Sequence, residues 1–163
     1  MTGPLLEGLP PIVGDGARGL ILGNMPSAMS LAAQQYYANP RNGFWRITGD
    51  IFGFAVSAAY DDRVAALCAS GVAVWDVLRF CRRQGSLDSA IELDSMVAND
   101  FESFFDAHPA IDRVFFNGAA AEKNFGRFAG VERHLRYRRL PSTSPAQTMR
   151  YADKLSAWRE AMS

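Results

Sequence analysis

The chain has 163 residues (17.9 kDa), of which 48% are hydrophobic, 12% aromatic and 21% charged. That balance excludes a disordered, collagenous or coiled-coil protein and suits one globular domain over residues 1–163. Seventeen basic residues offset 17 acidic ones, so net charge names no partner, although 15 of the 17 are arginine, the residue suited to bidentate phosphate contacts.

After a start rich in proline and glycine, the apolar run 19–23 (GLILG) is bounded by glycines and predicts a buried parallel strand. Similar runs recur at 72–77 and 113–118, and a less apolar one covers 135–140. Between them lie stretches with helical spacing. Phe101, Phe104 and Phe105 follow Asn99, a candidate N-cap, and 119–128 is rich in alanine. Tyr151, Leu155, Trp158 and Met162 step along one helical face, with Ser144 and Pro145 as the predicted cap and first turn. Strands alternating with helices predict an α/β fold, a mostly parallel sheet covered on both faces, with ligands held beyond the C-terminal strand ends.

Charge is segregated along the chain. Residues 88–112 hold seven acids and no Lys or Arg, whereas 127–150 hold six arginines against Glu132 alone. Either run reads most simply as a solvated face, but the basic one leads into the loop 141–144 and could present a phosphate backbone to it. On this reading Arg136, Arg138 and Arg139 include phosphate contacts.

Two cysteines and two histidines, without CxxC or HxxxH spacing, predict no metal site, iron–sulfur cluster or disulfide scaffold. The formal GxGxxG at 14–19 precedes a strand instead of following one, which is the wrong order for a dinucleotide site. No cofactor is expected. The N-terminus lacks the basic head and apolar core of a signal peptide, and no 18-residue apolar run occurs. The expectation is a cytoplasmic protein, nucleoid-associated if prokaryotic, with no membrane partner.

The informative stretch is 23–45. GNMPS (23–27) leaves the first buried strand through a tight turn, and YYANPRNGFW (36–45) follows. Phe44 and Trp45 read as core aromatics, and Asn39 before Pro40 as turn chemistry. Asn42 has no obvious structural duty.

Together with VWDV (74–77), GSLDS (85–89), NDF (99–101), FNG (116–118) and LPSTSPA (140–146), these motifs resemble the uracil-DNA glycosylase superfamily. The hypoxanthine-DNA glycosylase branch (DNA-deoxyinosine glycosylase, family 6) resembles the chain most, and mismatch-specific uracil-DNA glycosylases share part of the pattern. The resemblance covers residues 9–158 in order. It implies a three-layer αβα sandwich around a short, mostly parallel four-stranded sheet. It also implies a monomeric enzyme that flips a deaminated base out of DNA and hydrolyses its N-glycosidic bond.

By the same resemblance Asn42 is the catalytic amide, stabilising the departing base or positioning water. The base pocket comprises Gly23, Asn24, Met25, Pro26, Tyr37, Phe44, Trp75 and Asp76, with Tyr37 stacking on the base and Asp76 reading its edge. Pro141, Ser142, Thr143, Ser144 and Pro145 form a loop against DNA, with Arg138 beside it. Met25 stands where several relatives carry a water-positioning acid or amide, which shifts the chemistry toward Asn42. Asn24 replaces the branch's usual serine and is a second candidate donor. Asn117 reads as a strand-end Asn-Gly turn. No lysine lies in either motif, so no Schiff base with the sugar is expected.

Three activities compete on these residues: a glycosylase for deaminated bases, hypoxanthine first; a non-catalytic module recognising damaged DNA; and a hydrolase of free nucleosides. Asn42 in its motif argues against the second, and the basic segment against the third.

Overall fold

Strands buried on both faces need no polar side, which is why two of the apolar runs carry no alternation. The computed structural model describes residues 3–163. Strands β2 (Gly19–Gly23) and β3 (Val72–Asp76) are buried at every position. With β6 (Arg113–Asn117) and β7 (Arg136–Leu140) they form a parallel sheet in the order β3-β2-β6-β7.

Helices α4 (Phe101–Ala107) and α5 (Ala119–Phe128) cover the face carrying Trp75 and Phe116, through edge and tilted contacts with Phe101, Phe104 and Phe125. Helices α2 (Phe44–Phe52), α3 (Tyr60–Ala69) and α6 (Tyr151–Met162) cover the other. This is the expected three-layer sandwich.

The second, smaller sheet was not legible. Strands β1 (Leu5–Glu7), β4 (Leu78–Arg82) and β5 (Val97–Ala98) pair antiparallel in the order β1-β4-β5. Only Val77 separates β3 from β4, and its N–H bonds to the Gly23 carbonyl at 2.9 Å. The chain thus turns sharply at the strand end and ties that corner to the motif turn.

Two cap assignments need correction. Helix α6 starts at Tyr151, not at Ser144–Pro145. The hydroxyls of Ser142 and Ser144 instead accept from the N–H groups two residues on, at 3.1 and 3.2 Å, holding a turn. Asp100, not Asn99, caps α4 by accepting from the Ser103 N–H at 3.1 Å. The Asn99 amide is occupied by the Asp76 carbonyl at 2.8 Å.

Candidate active site

The C-terminal ends of β2, β3 and β6 open into a cleft of about 520 Å³. Its floor is the 23–27 turn that follows β2, where any side chain at the first position would displace its neighbours. A Cβ on Gly23 would lie 2.4 Å from Asp76 Oδ1 and 2.9 Å from the Tyr37 hydroxyl oxygen. The close approach of backbone to both groups is the physical reason for glycine here. Helix α1 (Ala28–Ala33) then begins with Ser27 as its cap.

Tyr37 adopts a left-handed backbone conformation (φ 52°), unusual for a non-glycine residue. The conformation lays its ring flat on Phe44, with centroids 4.0 Å apart and planes at 16°. Phe44 supports one face, and Tyr37 borders the cleft, so the other face is a platform for a planar ligand. Asn117 braces the hydroxyl, its Nδ2 donating to it at 3.1 Å and to Thr143 Oγ1 at 2.9 Å, while its Oδ1 accepts from the Thr143 N–H at 2.9 Å. Burial, and then the nearby Asp76 charge, push the Tyr37 phenol well above its ordinary value, so it stays neutral.

Asn42 sits before α2. Its Oδ1 accepts from the Phe44 N–H at 3.0 Å, which fixes the carboxamide and leaves Nδ2 as its donor at the cleft. Asn24 is differently placed. Its Nδ2 donates to Asp88 Oδ1 at 3.0 Å, and its Oδ1 accepts from Asn124 Nδ2 at 2.8 Å. That amide is committed on both sides.

The electrostatic centre lies under the turn. Asp76 is 4% exposed and Arg83 1% exposed. Arg83 donates from Nη2 to the Pro26 carbonyl at 2.6 Å and from Nε to the Gly85 carbonyl at 2.8 Å, fastening the turn to the 85–89 segment. Asp76 Oδ2 is buried with no hydrogen-bond partner. Desolvation first, then the Asp88 charge, raise the Asp76 carboxyl to about 7, against the opposing pull of Arg83. A buried carboxyl with a free oxygen beside a cleft is poised to meet a ligand's polar edge.

The loop 141–147 closes the cleft from the far side. Lys154 on α6 donates to the carbonyls of Ser144 at 3.2 Å and Gln147 at 2.8 Å, and Trp158 Nε1 donates to the Pro141 carbonyl at 2.8 Å. The Gly43 N–H bonds to the Thr143 carbonyl at 2.9 Å, joining this loop to the start of α2.

Of the residues assigned from sequence, Gly23, Asn24, Met25, Pro26, Tyr37, Asn42, Asp76, Ser142, Thr143, Ser144 and Pro145 all line the cleft. Four do not. Phe44 lies fully buried beneath Tyr37 and acts through it. Trp75 points to the opposite sheet face, against Phe101 and Phe104, because side chains alternate along β3. Pro141 lies under the loop as the acceptor for Trp158.

Arg138 sits on the edge strand β7, exposed, 3.8 Å from Glu160; its neighbours Arg136 and Arg139 pair with Asp112 at 3.7 Å and Glu122 at 3.7 Å. Each β7 arginine stands near an acid from a neighbouring element, and all three lie outside the cleft lining. Arg83, Asn124 and Lys154 were missed altogether, and nothing in their local sequence marks them. Asp88 was visible only as part of GSLDS, without a role.

The described residues contain no helix long and apolar enough to cross a membrane. The profile of the Uracil DNA glycosylase superfamily matches residues 10–162. A protein named hypoxanthine DNA glycosylase from Methanosarcina barkeri is 33% identical over 158 residues, covering 95% of this chain and 96% of that protein. A protein of the same name from Methanosarcina acetivorans is 33% identical over 155 residues, covering 93% and 94%. The fold matches a solution NMR structure from Methanosarcina acetivorans, provisionally assigned as a uracil DNA glycosylase, with a TM-score of 0.81 and 30% identity. That match covers 98% of this chain and 97% of the other.

Proposed function

The chain belongs to the uracil-DNA glycosylase superfamily and is a DNA glycosylase for deaminated bases; from that premise we propose that hypoxanthine is its principal substrate. We further propose that all 163 residues serve as one glycosylase domain, acting as a monomer in the cytoplasm. The carrying observation is the pairing of the Tyr37 platform with the fixed Asn42 amide and the unpartnered Asp76 carboxyl in one cleft.

A flipped purine stacks on Tyr37, whose left-handed backbone and Phe44 backing hold the ring before the base arrives. Asp76, when ionised, accepts from N1–H of hypoxanthine and repels the bare N1 of adenine. Burial makes that discrimination large, because a mismatched base leaves desolvated groups unpaired. As the glycosidic bond breaks, the sugar gains oxocarbenium character and the base gains negative charge. Asn42, whose Oδ1 accepts from the Phe44 N–H, donates from Nδ2 to the leaving base without having to reorganise.

Met25 offers no group to orient water, and the Asn24 amide is engaged by Asp88 and Asn124. The burden therefore falls on Asn42. Neither motif region, 23–27 or 141–147, contains a lysine, and the Lys154 ammonium is held by two carbonyls. Hydrolysis without a covalent enzyme–sugar intermediate follows.

Labelled duplexes carrying deoxyinosine, deoxyuridine or only normal bases, cleaved with alkali after incubation, test this. Deoxyinosine is expected to be excised fastest and deoxyadenosine not at all. Asn42→Ala should lose about a hundredfold in rate with the fold intact. Uracil released at an equal or higher rate would move the substrate to uracil, whose N3–H can also meet Asp76. A rate within about threefold of wild type for Asn42→Ala would take the catalytic role from this amide.

A further inference from the structure

The β7 arginines were expected to meet the phosphate backbone, yet each stands beside an acid. A different surface has the required charge. A second cleft, of about 580 Å³, runs between the start of α2 and the 143–149 segment. Arg41, Arg46 and Lys154 are the charged residues lining it, and no acid lines it among the described residues. Arg41 and Arg46 are exposed, and neither forms an ion pair among the described residues. The Arg46 guanidinium carbon lies over the Tyr151 ring, 3.7 Å from its centroid. That contact holds the cation in place without neutralising it.

The second cleft adjoins the first: Asn42, Thr143, Pro145 and Gln147 line both. Val56 and Met149, 54% and 42% exposed, add apolar surface along it. Cations without counter-ions beside apolar patches suit alternating phosphates and deoxyribose rings.

We propose that this groove carries the phosphodiester backbone of the damaged strand next to the flipped nucleotide, with Arg41 and Arg46 as its phosphate contacts. The assignment rests on the glycosylase reading, which supplies the occupant of the first cleft. It places the DNA track on the α2 side of the 141–147 loop and leaves β7 outside it.

The test is the salt dependence of duplex binding by the full chain. The probe is a fluorescent duplex containing 2′-fluoro-2′-deoxyinosine, whose electron-withdrawing fluorine destabilises the oxocarbenium and keeps the base attached. Affinities of wild type, R41Q, R46Q and R138Q are measured from about 50 to about 200 mM salt, with thermal melts confirming the fold. R41Q and R46Q should each weaken binding and lower the slope of log K against log salt by about one. R41K and R46K, which keep the charge, should restore most of that slope.

Unchanged slopes in both R41Q and R46Q overturn the groove, and a change confined to R138Q returns the DNA face to β7. Wild type that binds the duplex but excises nothing from unmodified deoxyinosine DNA overturns the hypoxanthine assignment, while the slopes still decide the groove. Wild type that binds no duplex overturns both.

Discussion

Replacing Asp76 by asparagine separates what the carboxylate contributes to folding from what it contributes to base reading. The carboxyl rises from an ordinary 3.8 to about 7, mainly because it is buried. A shift of about three units is worth about 4 kcal/mol favouring the neutral form. Since the folded-state value is the raised one, wild-type stability from this group is fully present below about pH 4 and is lost as pH rises toward 7.

Asparagine keeps the shape and never ionises. In denaturant titrations the two proteins should be nearly equal at about pH 3, and the variant should be more stable by about 2–4 kcal/mol near pH 8. Excision of hypoxanthine by wild type should rise through pH 7 as the acceptor ionises, whereas the variant should be slow and flat over the same range. A stability difference that does not change between the two pH values would refute the burial argument. An unaltered pH–rate profile in the variant would refute the role in base reading.

Two further substitutions probe the geometry. Gly23→Ala places a methyl 2.4 Å from Asp76 Oδ1 and 2.9 Å from the Tyr37 hydroxyl oxygen. Both groups belong to the base site, and Asn117 holds the Tyr37 hydroxyl, so excision should fall at least about tenfold and stability by about 1–3 kcal/mol; wild-type rate and melting temperature together would show that the turn can yield. Asn117→Ala removes three hydrogen bonds joining Tyr37 to the loop. It leaves the Thr143 N–H without its acceptor, for a loss of about 2–3 kcal/mol. Hydrogen exchange at the Thr143 amide should quicken, and unchanged protection would mean that Gly43, Lys154 and Trp158 suffice to hold the loop.

The sequence by itself determined the parallel sheet, the family and most of the cleft lining. The sheet follows from a local signal, since strands buried on both faces leave uninterrupted apolar runs, as in 19–23; the family and the pocket residues follow from the resemblance carried by motifs such as 23–27, 36–45 and 140–146. Asn42 was assigned by the same resemblance, beside its lack of an obvious structural duty. The structure gives it a small structural bond to the Phe44 N–H and leaves its donor free.

Long-range partners were decided only by tertiary structure. The resemblance put Phe44 and Trp75 in the pocket, yet Phe44 lies buried under Tyr37, as its reading as a core aromatic expects, and Trp75 lies on the far sheet face. The acids beside the basic stretch 127–150 come from elsewhere in the chain: Glu122 from α5, Glu160 from α6 and Asp112 from just before β6. Arg83, Asn124 and Lys154 act through bonds to residues 57, 100 and 10 positions away. Periodicity and capping rules describe neighbours along the chain, whereas the charge balance of a surface and the partner of a buried polar atom depend on which elements the fold packs together.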